Sequence, residues 1–296
     1  MERYSTARVA LLATILILAG CSQSSSSTAQ SSTSPEASAT VESTSPQASA
    51  TGAGTPVTYT DIGGTPAEKY ITDLGALGVF GTPSGAFNPA GTITRADFVK
   101  WLVLANNAIF ANMPGKQIHL SQSATSAYPD VATSHPDFAY IQGMYDAGFA
   151  VGFPDKTFKP DALLTHEQMI AIKESVDRGG VQQYYVTNWD STMPDWKDRN
   201  QINKIFRGAI AEDSRLDKSA VTNWSQPGLV IDNVPRTFGA IAMFRPQDTV
   251  TRGQAAAVLW KVGAHSDDIR ESTPDDTPRS AADALAPASP TPSPTP

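Results

Sequence analysis

The feature that most constrains this chain is a short pattern that occurs three times with the same internal spacing. Each copy has Phe-x-Pro followed by a threonine five positions after the proline. The three copies run from Phe87 to Thr94, from Phe158 to Thr165 and from Phe244 to Thr251. Because the spacing is constant while the residues between vary, we predict a repeat protein in which each copy builds the same unit.

The threonine of each copy has the surroundings of a helix N-cap. In that position a threonine hydroxyl accepts a hydrogen bond from an otherwise unpaired N–H of the first turn. The residues three positions later suit a capping box; they are Asp97, Gln168 and Gln254. Apolar residues precede the caps, namely Ile93, Leu164 and Val250. We therefore predict an equivalent helix after each threonine.

A further helix is predicted upstream of each pattern. In the first copy Thr65 can cap it, with Pro66 at the first helical position. Gly78, and Gly148 in the second copy, suit the left-handed residue that follows a helix. The third copy is predicted to begin at the sequence Met-Pro-Asp-Trp at residues 193–196. It contains an insertion, residues 211–243, without clear periodicity.

The first twenty residues have the composition of a signal peptide. Arg3 and Arg8 precede an apolar run at residues 9–18 that is too short to span a bilayer comfortably. The run ends in Leu-Ala-Gly before Cys21, which resembles a bacterial lipobox and implies an acylated Cys21 anchored in a membrane. The alternative is an ordinary secretory signal with Cys21 as a buried structural cysteine.

Composition separates folded from unfolded parts of the chain. Residues 22–55 are almost wholly Ser, Thr, Ala, Gln, Pro and Gly, which bury too little apolar area to offset chain entropy. The chain turns polar past about residue 264 and ends in a proline-rich run that is typical of a disordered tail. A net charge of −7 disfavours a nucleic-acid partner. A single cysteine excludes an internal disulfide.

These patterns predict an all-α protein made of three helix-loop-helix repeats. The predicted segments are a lipoprotein signal peptide (1–20), a disordered linker (21–56), repeat 1 (57–127), repeat 2 (128–192), repeat 3 with its insertion (193–264) and a disordered tail (265–296). We expect no cofactor and no metal site, because the four histidines are scattered and no metal-binding spacing occurs.

The repeats resemble S-layer homology (SLH) domains over residues 57–264. The strongest matches are GFPDKTFKP at residues 152–160 and ITRADF at residues 93–98. The resemblance implies a pseudo-threefold bundle that binds an anionic, pyruvate-bearing cell-wall polysaccharide in grooves between repeats. It assigns ligand-binding roles to Arg95, Arg252, His166, Asp61, Asp130, Asp195 and Gly152. His166 stands where the second arginine would be, and at that position a histidine would bind an anion better below about pH 6.5.

Physical chemistry reaches the same site by a separate route. A helix start presents free N–H groups and a partial positive charge, and an arginine there can grip a carboxylate with two bonds. Three such grooves on one repeating polymer would raise the overall affinity. The alternatives are arginines that are solvated or paired with acids, and aspartates that serve as caps or turn acceptors.

The sequence therefore favours a non-catalytic lipoprotein of the cell envelope, held to the outer membrane or cell surface with its folded part outside the cytoplasm, that tethers the membrane to wall polysaccharide. The alternatives are a protein–protein interaction module and, least favoured, a wall glycan hydrolase that uses acids from Asp190, Asp195 and Asp198. Trp101 and Trp196 are predicted core residues, whereas Trp189 and Trp224 are candidates for a carbohydrate-binding face.

Overall fold

The computed structural model describes residues 54–149, 152–180, 192–222, 231–263 and 277–287, and within them the chain is mainly helical. The helices are α1 (Glu68–Ala76), α2 (Arg95–Ile109), α3 (Phe138–Asp146), α4 (His166–Asp177), α5 (Lys204–Thr222), α6 (Asn233–Phe238), α7 (Arg252–Leu259) and α8 (Ala281–Leu285). The strands are β1 (Thr58–Tyr59), β2 (Ser84–Gly85), β3 (Lys261–Val262) and β4 (Arg279–Ser280). The predicted all-α class is confirmed. Cys21, Trp189, Asp190 and Trp224 lie outside the described residues.

The two small sheets have two strands each. Strand β1 pairs in parallel with β2, and β3 pairs antiparallel with β4. No helix in the described ranges is both long enough and apolar enough to cross a membrane.

Three apolar residues join the repeats in a closed ring of backbone hydrogen bonds. The N–H of Leu164 donates to the carbonyl of Ile93, the N–H of Ile93 to the carbonyl of Val250, and the N–H of Val250 to the carbonyl of Leu164, over 3.0, 3.2 and 2.8 Å. All three side chains are buried at the centre of the core. Each repeat therefore contacts both others directly. The pseudo-threefold symmetry of the bundle stays a prediction, whereas the cyclic order of these bonds is observed.

The predicted helix starts after the ring are confirmed, and two of their three caps form. The hydroxyl of Thr94 accepts from the N–H of Asp97, and Thr251 forms a full capping box with Gln254. Thr165 occupies the N-cap position of α4, but its side chain accepts no capping bond and its buried Oγ1 has no partner. The capping box predicted for Thr165 is therefore wrong. Its third residue, Gln168, turns instead towards Arg95.

The start predicted for α1 is displaced, whereas its end is confirmed. The helix begins at Glu68, because the hydroxyl of Thr65 donates to the carbonyl of Ile62 in a preceding turn and does not cap. Gly78 and Gly148 have φ of 78° and 81°, the left-handed conformation predicted for the residues after α1 and α3.

The insertion is largely helical where it is described. Helix α5 continues into it as far as Thr222, and α6 follows. Buried polar contacts attach α6 to α4 and α5: the side-chain amide of Asn233 donates to Asp177 and to Asp213, each over 2.9 Å. Asp177 also pairs with Lys173 and accepts from the N–H of Gly263 over 2.7 Å.

A second buried pair joins α4 to α5. Arg178, the residue after α4, pairs with Glu174 of α4 and, over 3.0 Å, with Glu212 on α5. Burial raises the pKa of Glu174 well above its usual value, and the neighbouring Arg178 opposes that shift. Since Glu212 lies within the insertion, the Arg178–Glu212 pair joins the start of the insertion to the end of α4.

Part of the segment predicted to be a disordered tail is folded. Residues 277–287 form β4 and α8, and Ser280 and Asp283 make a capping box at the start of α8. Leu285 packs so near Gly54 that a side chain at Gly54 would begin 2.5 Å from its Cδ2. The prediction fails here because a polar composition does not exclude docking when strand pairing and a cap satisfy the backbone.

Candidate functional site

The side chains at the three helix starts all reach the neighbouring repeat. Arg95 Nε donates to the carbonyl of Phe158 over 2.8 Å, and Arg252 Nε donates to the carbonyl of Phe87 over 2.8 Å. The Nδ1 of His166 lies 3.1 Å from the carbonyl of Phe244. These contacts also link the three repeats in a cycle, but they run around it in the opposite direction to the donor-to-acceptor order of the backbone ring. We call the three contact regions the Arg95, His166 and Arg252 clefts.

The helix-start N–H groups are already bonded. The N–H of Arg95 donates to Ala162, that of His166 to Asp248 and that of Arg252 to Gly91, over 3.0, 3.1 and 2.7 Å. The next N–H in each helix donates to the proline carbonyl of the same neighbouring repeat. The expectation that these groups bind an anion is therefore contradicted: they join repeats instead.

The Arg95 cleft is closed by protein contacts. Arg95 is 1% exposed, and its Nη1 donates to Gln168 Oε1 over 3.1 Å. Its guanidinium carbon lies 4.5 Å from the centre of the Phe153 ring and 5.0 Å from that of Phe158. Burial lowers the pKa of Arg95 to about 10, which still leaves the side chain charged at neutral pH. Arg95 is thus part of a repeat–repeat joint that a polymer cannot readily reach.

The Arg252 cleft differs because its arginine is half-buried and only partly engaged. The guanidinium carbon lies 4.7 Å from the rings of both Phe87 and Trp101, which fix its plane by cation–π contact. Among the residues that the structure describes, none accepts a hydrogen bond from Nη1 or Nη2 of Arg252. Those donors have the geometry to hold a carboxylate through two bonds.

The Arg252 cleft contains acidic groups as well as the arginine. Burial lowers the pKa of Arg252, and the fields of Asp97, Tyr59 and Asp61 oppose that shift. An arginine remains charged at neutral pH after a shift in this direction. The two acids would repel an anion held only by general attraction. An anion would therefore need direct contact with the guanidinium to bind in this cleft.

The His166 cleft is filled by the chain itself. The His166 ring lies 4.5 Å from the ring of Phe238 and is 6% exposed. Beside it, both carboxylate oxygens of Glu167 are bonded: Oε2 accepts from the N–H of Asn203 over 2.8 Å, and Oε1 from Nε2 of Gln247 over 2.7 Å. Burial raises the pKa of Glu167, and the two hydrogen bonds oppose the shift. The buried His166 ring is therefore poorly placed for the predicted pH-dependent contact with an anion.

An aspartate near the start of each repeat, which we call the opening aspartate, accepts hydrogen bonds from the Phe-x-Pro segment of the same repeat. Asp61 accepts from the N–H groups of Phe87 and Asn88, each over 2.7 Å. Asp130 makes the same contacts with Phe158 and Lys159. These bonds hold Asn88, Lys159 and, in the third repeat, Arg245 in the left-handed conformation, with φ of 58°, 59° and 53°. Backbone bonds to Phe87 and Asn88 also lower the pKa of Asp61.

In the third repeat the equivalent acid is Asp198, not the predicted Asp195. Asp198 accepts from the N–H groups of Phe244 and Arg245 over 2.9 and 2.7 Å and is 2% exposed. Asp195 has a fully exposed side chain that pairs only with Arg199, over 3.2 Å. The match to a Pro-Asp dipeptide placed the third repeat three residues too early, because the shared pattern is an aromatic residue two positions before the acid.

Gly152 is required by packing. A Cβ at this position would lie 2.5 Å from Cε1 of the Tyr128 ring and 3.2 Å from the carbonyl of Thr157. The predicted core positions of Trp101 and Trp196 are confirmed, and Trp196 stacks on Phe244 with ring centres 4.7 Å apart. No group of three or more acids, histidines or cysteines suited to a metal ion occurs in the described parts of the chain.

In a comparison with known proteins, three segments of the chain match the model of one family. Residues 58–99, 127–170 and 242–256 match the model of the S-layer homology domain. The chain is 26% identical over 173 residues to the Cellulosome-anchoring protein of Acetivibrio thermocellus, an alignment covering 57% of this chain and 36% of that protein.

Two further relatives are similar over parts of the chain. Cell surface glycoprotein 1 of Acetivibrio thermocellus is 32% identical over 92 residues, which is 31% of this chain and 4% of that protein. Endoglucanase of Bacillus sp. strain KSM-635 is 25% identical over 208 residues, which is 66% of this chain and 18% of the relative. The chain thus spans little more than a third of the length of the Cellulosome-anchoring protein and much less of the other two relatives.

Proposed function

We propose that this chain, three segments of which are S-layer homology repeats, attaches to the bacterial cell wall by binding an anionic polysaccharide in the Arg252 cleft. The observation that carries the proposal is the half-buried Arg252, whose plane is fixed by two rings and whose outer donors are unpaired within the described structure. The similarity to a cellulosome-anchoring protein supports attachment at the cell surface.

The ligand group best suited to this cleft is a carboxylate on a sugar. A planar guanidinium donates two parallel bonds to a carboxylate, and its fixed plane reduces the entropy lost on binding. A pyruvate substituent on a wall polymer supplies such a carboxylate. The acids Asp61 and Asp97 near Arg252 disfavour anions that cannot make the direct contact, which gives selectivity.

One cleft is proposed to bind rather than two or three. Arg95 is buried under Phe153 and Gln168, and the His166 cleft is occupied by Glu167. A single site per chain gives no gain in affinity from several sites on one polymer. Firm attachment would then come from many chains in one membrane, each held by an acylated Cys21 and a linker through residue 56.

We propose that the protein is not a glycan hydrolase. A general acid or base needs a carboxyl group that can exchange a proton with the substrate. Both oxygens of Asp198 accept backbone N–H bonds, and the group is 2% exposed. The alignment with the endoglucanase covers only 18% of that protein, so it transfers no activity.

The test is co-sedimentation of the full-length protein, solubilised in mild detergent, with purified wall sacculi from its host. Arg252→Ala is expected to weaken binding by about tenfold to a hundredfold, because a hydrogen bond to a charged group contributes about 1.5–3 kcal/mol. Arg252→Lys keeps the charge but loses the two-bond fork, and intermediate binding is expected.

The matched control is Lys69→Ala, which removes one positive charge from an exposed position on α1. It should bind as the wild type does. Each variant is checked for its free energy of unfolding, because Arg252 also contacts Phe87. Undiminished binding by a folded Arg252→Ala protein would refute the proposed site and favour the protein–protein interaction alternative.

A further inference from the structure

The three clefts differ at the second residue of the helix. In α2 this residue is Ala96 and in α7 it is Gly253, whereas in α4 it is Glu167. All three are buried, and their N–H groups make the same bond to the neighbouring repeat's proline carbonyl. The backbone is therefore equivalent at the three positions, and only in the His166 cleft does this helix position carry a carboxylate.

The groups around that carboxylate come from two separate segments of repeat 3. The N–H of Asn203 lies just before α5, and the side chain of Gln247 follows the Phe-x-Pro sequence. Each binds a different oxygen of Glu167, and the start of α5 adds a favourable partial charge. No lysine or arginine pairs with Glu167 within the described residues. The carboxylate is thus held by neutral donors.

The remaining side of the cleft is covered by the insertion. Phe238 of α6 contacts the His166 ring at 4.5 Å, and Phe244 lies 6.2 Å from the same ring. His166 is 6% exposed and Glu167 2% exposed. The Arg252 cleft has Gly253 at the position of Glu167 and a half-buried arginine at the position of His166. The two clefts are therefore filled to very different extents.

We propose that the His166 cleft is a carboxylate-binding pocket that the chain occupies with its own Glu167 side chain, which excludes an external anion from this cleft. The donors of Asn203 and Gln247 act on Glu167 as they would on a ligand carboxylate. This proposal goes beyond wall attachment and does not depend on which polymer the Arg252 cleft binds. It also gives the insertion a role, since α6 closes the pocket.

Removing the Glu167 carboxylate and replacing it with a free carboxylate of the same size provides a direct test. Glu167→Ala removes the Cγ, Cδ and both carboxylate oxygens, which are the same heavy atoms as those of acetate, and alanine is the residue found at the equivalent position 96. Acetate should therefore bind in the emptied pocket and stabilise the variant. At an acetate concentration ten times its dissociation constant, the ratio of folded to unfolded protein should rise about 11-fold.

The experiment is denaturant unfolding of the full-length protein at pH 7 in sodium acetate and in sodium chloride of equal concentration, titrated to saturation. Wild type and Glu167→Gln, in which the pocket stays filled, should show no difference between the two salts. An acetate effect confined to Glu167→Ala supports the proposal. An equal effect on all three proteins, or none on Glu167→Ala, overturns it.

A second measurement covers the case in which Glu167→Ala does not fold. In wild type the amide proton resonance of Asn203 should shift as the pH is lowered and Glu167 becomes protonated, and in Glu167→Gln this shift should be absent. An Asn203 resonance that is insensitive to pH in wild type would overturn the proposal. Neither measurement involves wall binding, so failure here leaves the Arg252 site to its own test.

Discussion

Replacing Asp198 by alanine tests whether the third repeat is closed by the same contact as the other two. The Asp198 carboxylate accepts from the N–H groups of Phe244 and Arg245 over 2.9 and 2.7 Å. A hydrogen bond to a charged group contributes about 1.5–3 kcal/mol, so losing both should lower the free energy of unfolding by about 3–6 kcal/mol. Because Phe244 is 1% exposed, water cannot easily replace the lost acceptor.

The assay is urea unfolding followed by tryptophan fluorescence and circular dichroism. Asp195→Ala is the matched control, because its side chain is fully exposed and pairs only at the surface with Arg199. We expect no measurable loss for the control and an intermediate loss for Asp198→Asn, which keeps one acceptor oxygen. Equal losses for Asp195→Ala and Asp198→Ala, or a loss below about 1 kcal/mol for Asp198→Ala, would refute the assignment.

Three further predictions concern single side chains. Thr251→Val should cost about 1 kcal/mol by removing a cap, whereas Thr165→Val should be neutral or stabilising because its buried hydroxyl has no partner; urea unfolding compares them. Asp61 has a lowered pKa, so its contribution is present above the unfolded value of about 3.9 and is lost as the pH falls through the folded value; Asp61→Asn should flatten the acid side of the stability curve. Gly152→Ala should cost about 1–3 kcal/mol by forcing the Tyr128 ring to move, which thermal unfolding would show.

The repeat architecture could be predicted from the sequence because its determinants are local. A cap, a turn glycine and an apolar residue before the cap each act within a few residues of the chain. The helix starts at Thr94 and Thr251 and the left-handed Gly78 and Gly148 were therefore predictable. The local signal for Thr165 was equally good, yet Gln168 bonds to Arg95 of another repeat, which no local rule contains.

The candidate site was only partly predictable. The sequence shows an arginine at two helix starts. It does not show that Arg95 is enclosed by Phe153, or that outer donors of Arg252 have no acceptor among the described residues. The helix-start N–H groups were expected to be free, and the neighbouring repeat uses them. The burial and the partners of these side chains depend on residues far away in the sequence, from 63 positions for the bond between Arg95 and Phe158 to 165 for that between Arg252 and Phe87. A single sequence does not show such contacts.

Two misses had signals that a closer reading can find. Trp196 precedes Asp198 by two positions, as Tyr128 precedes Asp130, and this spacing identifies the third opening acid. Near the C-terminus, the serine before α8 is followed three positions later by an aspartate, which is a capping-box pattern. Composition concealed both features, because the loop before α5 and the C-terminal segment are rich in polar residues.

The closed ring formed by Ile93, Leu164 and Val250 limits how this module can break or grow. A stacked array of repeats can lose or gain a unit at either end and can unfold from that end. Within the described residues none of the three repeats is an end unit, since each is bonded to the other two. Deleting one repeat would leave two edges without hydrogen-bond partners, and a fourth repeat could be added only by opening the ring of hydrogen bonds. If the module is loaded between wall and membrane as proposed, it should therefore hold until all three repeats separate together.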